Sequence, residues 1–94
     1  MIYFTFACSK AEELPLPVAS FYANIQNCTD DSCVVYFYDN SQNSESRTWD
    51  FGNGKTSLLE IDSAFYLKDF LYTVEMTVVN GDKFESKKIK TIKI

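Results

Sequence analysis

The amino-acid sequence predicts an all-β fold, an immunoglobulin-like β-sandwich of about seven strands. Apolar residues recur at every second position in several short runs, and polar turn clusters separate those runs. Aromatic residues, which fit a pleated and half-buried surface, are abundant: eight Phe, six Tyr and one Trp in 94 residues. No segment carries the period of a helix longer than one turn, and there is no internal repeat. A barrel of the OB type is the alternative packing for so many short strands.

The chain opens Met1-Ile2-Tyr3-Phe4-Thr5-Phe6-Ala7-Cys8-Ser9. The apolar run is far shorter than the roughly 20 residues that span a bilayer. Phe6-Ala7-Cys8-Ser9, a small residue before Cys after an apolar stretch, resembles the cleavage site of bacterial lipoproteins, in which the Cys becomes the lipidated first residue. The other reading is an N-terminal edge strand with a free thiol at Cys8. On the first, residues 1–8 are the remnant of a signal, membrane contact is through the lipid anchor, and the mature protein sits outside the cytoplasm. Residues 9–16 read as a polar linker closed by Pro15 and Pro17, which disfavour helix in the residues before them. The domain is expected to run over 17–94.

Within it, Ala19, Phe21, Ala23 and Ile25 form one apolar face of a first strand. In the second, Val35 and Phe37 face one way and Val34, Tyr36 and Tyr38 the other. Trp49 and Phe51 share a face in the third, and Tyr72, Val74, Met76 and Val78 share one in a later strand. Leu58 to Asp62 is expected as a short strand. The last strand, Lys83 to Ile94, is expected to bulge or break, because Ile89 is out of phase with Phe84, Ile92 and Ile94. Turn clusters lie at Thr29–Ser32, Asp39–Ser44, Gly52–Gly54 and Asn80–Asp82; Asn80-Gly81 is a strong hairpin signal.

One domain of this length buries roughly 60–65% of its unfolded surface, enough for a single core. The net charge of −4 opposes binding to phosphate backbones and to anionic lipid. Lys83, Lys87, Lys88, Lys90 and Lys93 cluster late, as expected of an edge strand blunted against aggregation. There is no histidine, which removes the commonest general base and the commonest metal ligand. Cys28 and Cys33 flank Thr29-Asp30-Asp31-Ser32, a spacing that lets them meet across a turn in a disulfide and so implies an oxidising compartment. Three cysteines without histidine leave a closed zinc shell one ligand short, so no metal and no cofactor is expected.

The segment Trp49-Asp50-Phe51-Gly52-Asn53-Gly54 closely resembles the Trp-Asp-Phe-Gly-Asp-Gly signature of PKD domains. The likeness continues in family order: Pro17-Val18-Ala19-Ser20-Phe21, then Val35 to Ser41, then Ala64-Phe65-Tyr66, then the Tyr72 to Val78 strand, so that it spans about residues 17–94. Asn53 stands where the family carries Asp, the family's His two residues before Tyr66 is absent, and no Gly precedes Tyr72. The resemblance implies an immunoglobulin-like sandwich in extracellular or cell-surface proteins that acts as a spacer, adhesion module or accessory module without catalysis.

The residues point to three function classes. The first is a binding module whose outward Tyr22, Tyr36 and Tyr38 form a flat stacking platform for a protein or glycan partner; cross-strand pairing that merely stiffens the sheet is the plainer reading of the same rings. The second is a small enzyme, whose paired acids Glu12-Glu13 and Asp30-Asp31 lie in linker and loop and whose Asp39 and Asp50 are expected to cap turns. The third is a calcium-stabilised domain in which Asp30, Asp31 and Asp39 meet at one end of the sandwich.

Overall fold

A computed structural model of the chain describes residues 14–94. Glu12, Glu13 and Cys8, with the lipidation assigned to it, lie outside the described residues. Seven strands follow one another: β1 (Phe21–Gln26), β2 (Ser32–Asp39), β3 (Ser46–Asp50), β4 (Thr56–Ser57), β5 (Ile61–Leu67), β6 (Leu71–Val79) and β7 (Glu85–Lys93). They form two antiparallel sheets, β1-β2-β5 and β4-β3-β6-β7, and the described residues contain no helix. The molecule is an all-β sandwich.

The alternation read from the sequence decides what lies between the sheets. Phe21, Val35, Phe37, Ala64 and Tyr66 from the smaller sheet meet Trp49, Val74, Met76 and Val78 from the larger, with Phe51 beside them. Trp49 is fully buried, stacks on Phe51 at 5.4 Å and meets the edge of Phe21 at 5.1 Å. Each such side chain contributes about 1.5–3 kcal/mol by leaving water. The polar groups that follow it in are satisfied: the Trp49 indole N–H donates to the Leu59 carbonyl at 2.7 Å, and the Tyr66 hydroxyl donates to the Phe51 carbonyl at 2.7 Å.

Side chains close the open flanks of the sandwich. On the β1/β7 flank Lys90 points inward from β7, donates to the Phe21 carbonyl at 2.6 Å and lies 4.8 Å over the Phe21 ring. An inward lysine on an edge strand makes pairing with another chain costly. On the β4/β5 flank Lys55 donates to the Ser63 carbonyl and Asn53 to the Phe65 carbonyl. The segment before β1 is tied down as well: Asn80 donates to Pro15, Asn43 to Leu16, and Val18 pairs with Gln42.

Three local expectations need correction. Leu58 to Asp62 is not a strand of its own: Leu58, Leu59 and Glu60 lie outside the strands, and Ile61 and Asp62 open β5. Strand β4 ends at Ser57 and β5 begins at Ile61, and the carbonyls of Leu59 and Glu60 between them accept from the Trp49 indole and the Asp39 amide. β7 neither bulges nor breaks, for its register with β6 is regular from Glu85 to Lys93. Ile89 simply faces outward opposite Glu75, which an edge strand with one solvated face permits. The β6–β7 hairpin forms, but Lys83 rather than Gly81 takes the left-handed backbone, with φ of 71°. A Cβ at Gly81 would lie 2.7 Å from the Leu14 Cδ1 and 2.8 Å from the Glu45 Oε2, the ends of two flexible side chains that can move aside.

Candidate binding face

The outer face of the three-stranded sheet follows from its register. Tyr22 on β1 lies opposite Tyr38 on β2, and Asn24 lies opposite Tyr36. On the other side of β2, Ile61 lies opposite Tyr38, Ser63 opposite Tyr36 and Phe65 opposite Val34. Val35 and Phe37, at the intervening positions, are fully buried, so the three tyrosines do share the outward face.

The rings of Tyr22 and Tyr38 stack on each other, with centroids 4.8 Å apart and planes 16° from parallel. Each therefore spends one face on its neighbour, and the surface is a stacked pair beside Tyr36 rather than a flat platform. Tyr22 keeps about half its surface in water. Phe65 and Ile61 on β5 are as exposed, at 57% and 55%, and extend the apolar surface across the third strand. Sequence reasoning missed these two. Their signal was the alternation Ile61, Ser63, Phe65, Leu67 against Ala64 and Tyr66, hidden because strand β5 was placed too early.

The Trp49–Gly54 segment is a scaffold. Asp50 accepts from the Gly52 amide and Asn53 from the Lys55 amide, which closes the β3–β4 turn. Gly52 has a φ of 78°, and a Cβ there would sit 2.3 Å from the Thr73 carbonyl, so only glycine fits. At the β1–β2 hairpin the Sγ atoms of Cys28 and Cys33 are bonded at 2.05 Å, and Thr29 accepts from the Ser32 amide.

Asp30, Asp31 and Asp39 do not assemble. Asp30 and Asp31 precede β2 in an exposed loop, while Asp39 ends that strand, roughly 25 Å away at extended-strand rise. This overturns the calcium arrangement. Asp39 accepts from the Ser41 amide and pairs with Arg47. A concavity of about 210 Å³ between Leu14, Asn43 and Gly81 holds one carboxylate, Glu45. Burial pushes the Tyr66 hydroxyl well above the ordinary tyrosine range, with Tyr72 and Asp50 adding to it, so Tyr66 stays a neutral donor.

Two solved structures share this architecture. The PKD1 domain of the Vibrio cholerae metalloprotease PrtV superposes with a TM-score of 0.70 at 28% identity, over 85% of this chain and 98% of that one. The PKD1 domain of Vibrio anguillarum Epp gives 0.69 and 28%, over 87% and 96%. The fold is that of the PKD domains. A further neighbour comes from work on the promiscuous specificity of carbohydrate-binding modules of the β-sandwich superfamily; it gives 0.70 at 25% identity and covers 86% of this chain but 35% of its own length. No family model and no curated protein sequence matches the chain. Against the PKD signature, the Asn53 departure has a physical role here: its amide nitrogen donates to Phe65 at 2.8 Å, a bond that the carboxylate of Asp could not make.

Proposed function

We propose that this PKD-like sandwich is a non-catalytic, extracytoplasmic module that binds a carbohydrate or protein partner through the outer face of β1-β2-β5. The observation behind the reading is the cross-strand register that gathers Tyr22, Tyr36 and Tyr38 on one solvated face, with Phe65 and Ile61 continuing it. Aromatic side chains with few rotors anchor a ligand at low entropic cost. The β-sandwich carbohydrate-binding neighbour favours a sugar. The Cys28–Cys33 bond fits an oxidising compartment, and the Phe6-Ala7-Cys8-Ser9 junction fits attachment through a lipid on Cys8. Metabolic palmitate labelling lost in Cys8→Ala checks that attachment.

A glycan array and an extracellular-protein array probed with the wild type and with Tyr36→Ala/Tyr38→Ala test the face. The double variant is expected to lose the wild-type signal while remaining folded. Unchanged binding by a folded double variant would move the site to the loops around Asp30 or Asn53.

A further inference from the structure

We infer that the ligand of this face is an uncharged, extended oligosaccharide lying along β2, held by Tyr36, Phe65 and Asn24. The inference rests on the reading that the β1-β2-β5 face is the binding surface, and it adds the chemical class of the ligand.

The first ground is charge. The chain holds nine basic and thirteen acidic residues, yet no outward position on β1, β2 or β5 is charged: those positions are filled by Tyr, Asn, Gln, Val, Ile, Ser, Phe and Leu. The outer face of the other sheet carries Asp50, Glu75, Glu85, Lys87 and Lys93. A carboxylated or sulfated glycan laid on the uncharged face would lose hydration without meeting a counter-charge, which is costly. A neutral polyol loses less, and it exchanges water for hydroxyl and amide partners.

The second ground is spacing. Tyr38, Tyr36 and Val34 are successive outward positions on β2, and Phe65 lies opposite Val34. Rings thus stand in three consecutive rows about 7 Å apart, a track of roughly 14 Å along the strand. That length suits several sugar rings end to end and exceeds a single one. In the middle row Asn24 and Ser63 flank Tyr36 on either side. An amide there offers both a donor and an acceptor, the pair needed for neighbouring hydroxyls.

Native gels cast with soluble polysaccharide test this on the full, oxidised chain. The neutral probes are hydroxyethyl cellulose, galactomannan and laminarin; the acidic probes are alginate and polygalacturonate. Retardation is expected with at least one neutral probe, unchanged by raised ionic strength, and with neither acidic probe. Phe65→Ala is expected to weaken binding at least several-fold. Asn24→Asp, which keeps shape and adds a charge, is expected to do the same with an unaltered melting midpoint. Retardation by the acidic probes as strong as by the neutral ones would overturn the neutral-ligand inference and leave the binding face standing. Retardation by no probe, with capture of a protein through Tyr36 and Tyr38, would also overturn it in favour of the protein reading. Loss of every interaction would remove the binding reading itself.

Discussion

The outward positions of β1, β2 and β5 hold three tyrosines, Phe65, aliphatic residues and neutral polar residues, whereas those of β3, β6 and β7 include Asp50, Glu75, Glu85, Lys87 and Lys93 among threonines and aliphatic residues. Both sheets use the same period of two and bury the same kind of inner face. On the charged side, Glu75 and Lys87 lie 3.4 Å apart as a diagonal pair, and its edge strand is lined with lysine. On the other side, solubility rests on Asn24, Gln26, Ser63 and the tyrosine hydroxyls. Folding requires only the inner alternation, so the difference between the outer faces bears on what each can touch. A control follows directly: Thr73→Ala/Thr77→Ala on the charged face should leave binding as it is, while Tyr36→Ala/Tyr38→Ala abolishes it.

The largest expected effect lies where the two sheets share a residue. Trp49 reaches from the larger sheet into the aromatic cluster of the smaller, and Trp49→Ala should cost about 3–5 kcal/mol, a large part of the 5–15 kcal/mol that stabilises a typical domain. A denaturant midpoint measures it, and the native emission should be blue-shifted. Solvent-quenched, red-shifted emission from the native wild type would contradict the shared core.

A smaller effect separates the hairpin end of the tyrosine face from its middle. Removing the Cys28–Cys33 bond by a double change to Ser frees a short loop and should cost about 2 kcal/mol, without touching the tyrosines, which lie three to six residues along the strands from the bridged cysteines. Intact mass should rise by two hydrogens on reduction of the wild type. Two free thiols after oxidative expression would detach the hairpin argument from the molecule.

The contrast between core and faces also explains what was legible in the sequence. Trp49, Phe51, Val35, Phe37, Val74, Met76 and Val78 were assigned to one inner surface by parity alone, because burial enforces a strict period. Tyr22, Tyr36 and Tyr38 fell outward for the same reason. Strand β5 was harder. Its edge carbonyls are taken by Lys55, Asn53 and Tyr72, partners that are distant in sequence or in another sheet, and Leu58 and Leu59 before it are apolar yet exposed. Ile89 misled in the same way, since an edge strand tolerates an apolar residue that stays half exposed on its outer face. Where long-range side-chain bonds rather than period decide the backbone, a single sequence gives little warning.

The smallest effect concerns the seam that joins the two sheets on the β4/β5 flank. Asp62 lies at an inward position of β5, opposite the buried Phe37, and reaches across to residues before and within β4. The Ser57 hydroxyl chiefly lowers its pKa below the ordinary 3.8; desolvation, the next largest influence, raises it, and the Ser63 amide at 2.7 Å and Lys55 at 3.4 Å lower it further. A carboxyl whose pKa is lower in the folded state than in the unfolded chain holds fewer protons when folded. It therefore stabilises fully above its unfolded value, and that contribution disappears as pH falls from about 4 through the folded pKa. With Lys55 nearly half exposed, the contribution is screened and should be about 0.5 kcal/mol. Asp62→Asn should flatten the acid limb of a plot of stability against pH by that amount and leave stability near neutrality only slightly lower. Ser57→Ala should move the acid limb in the same direction. An unchanged acid limb in Asp62→Asn would place the acid sensitivity of the fold outside the β4/β5 seam.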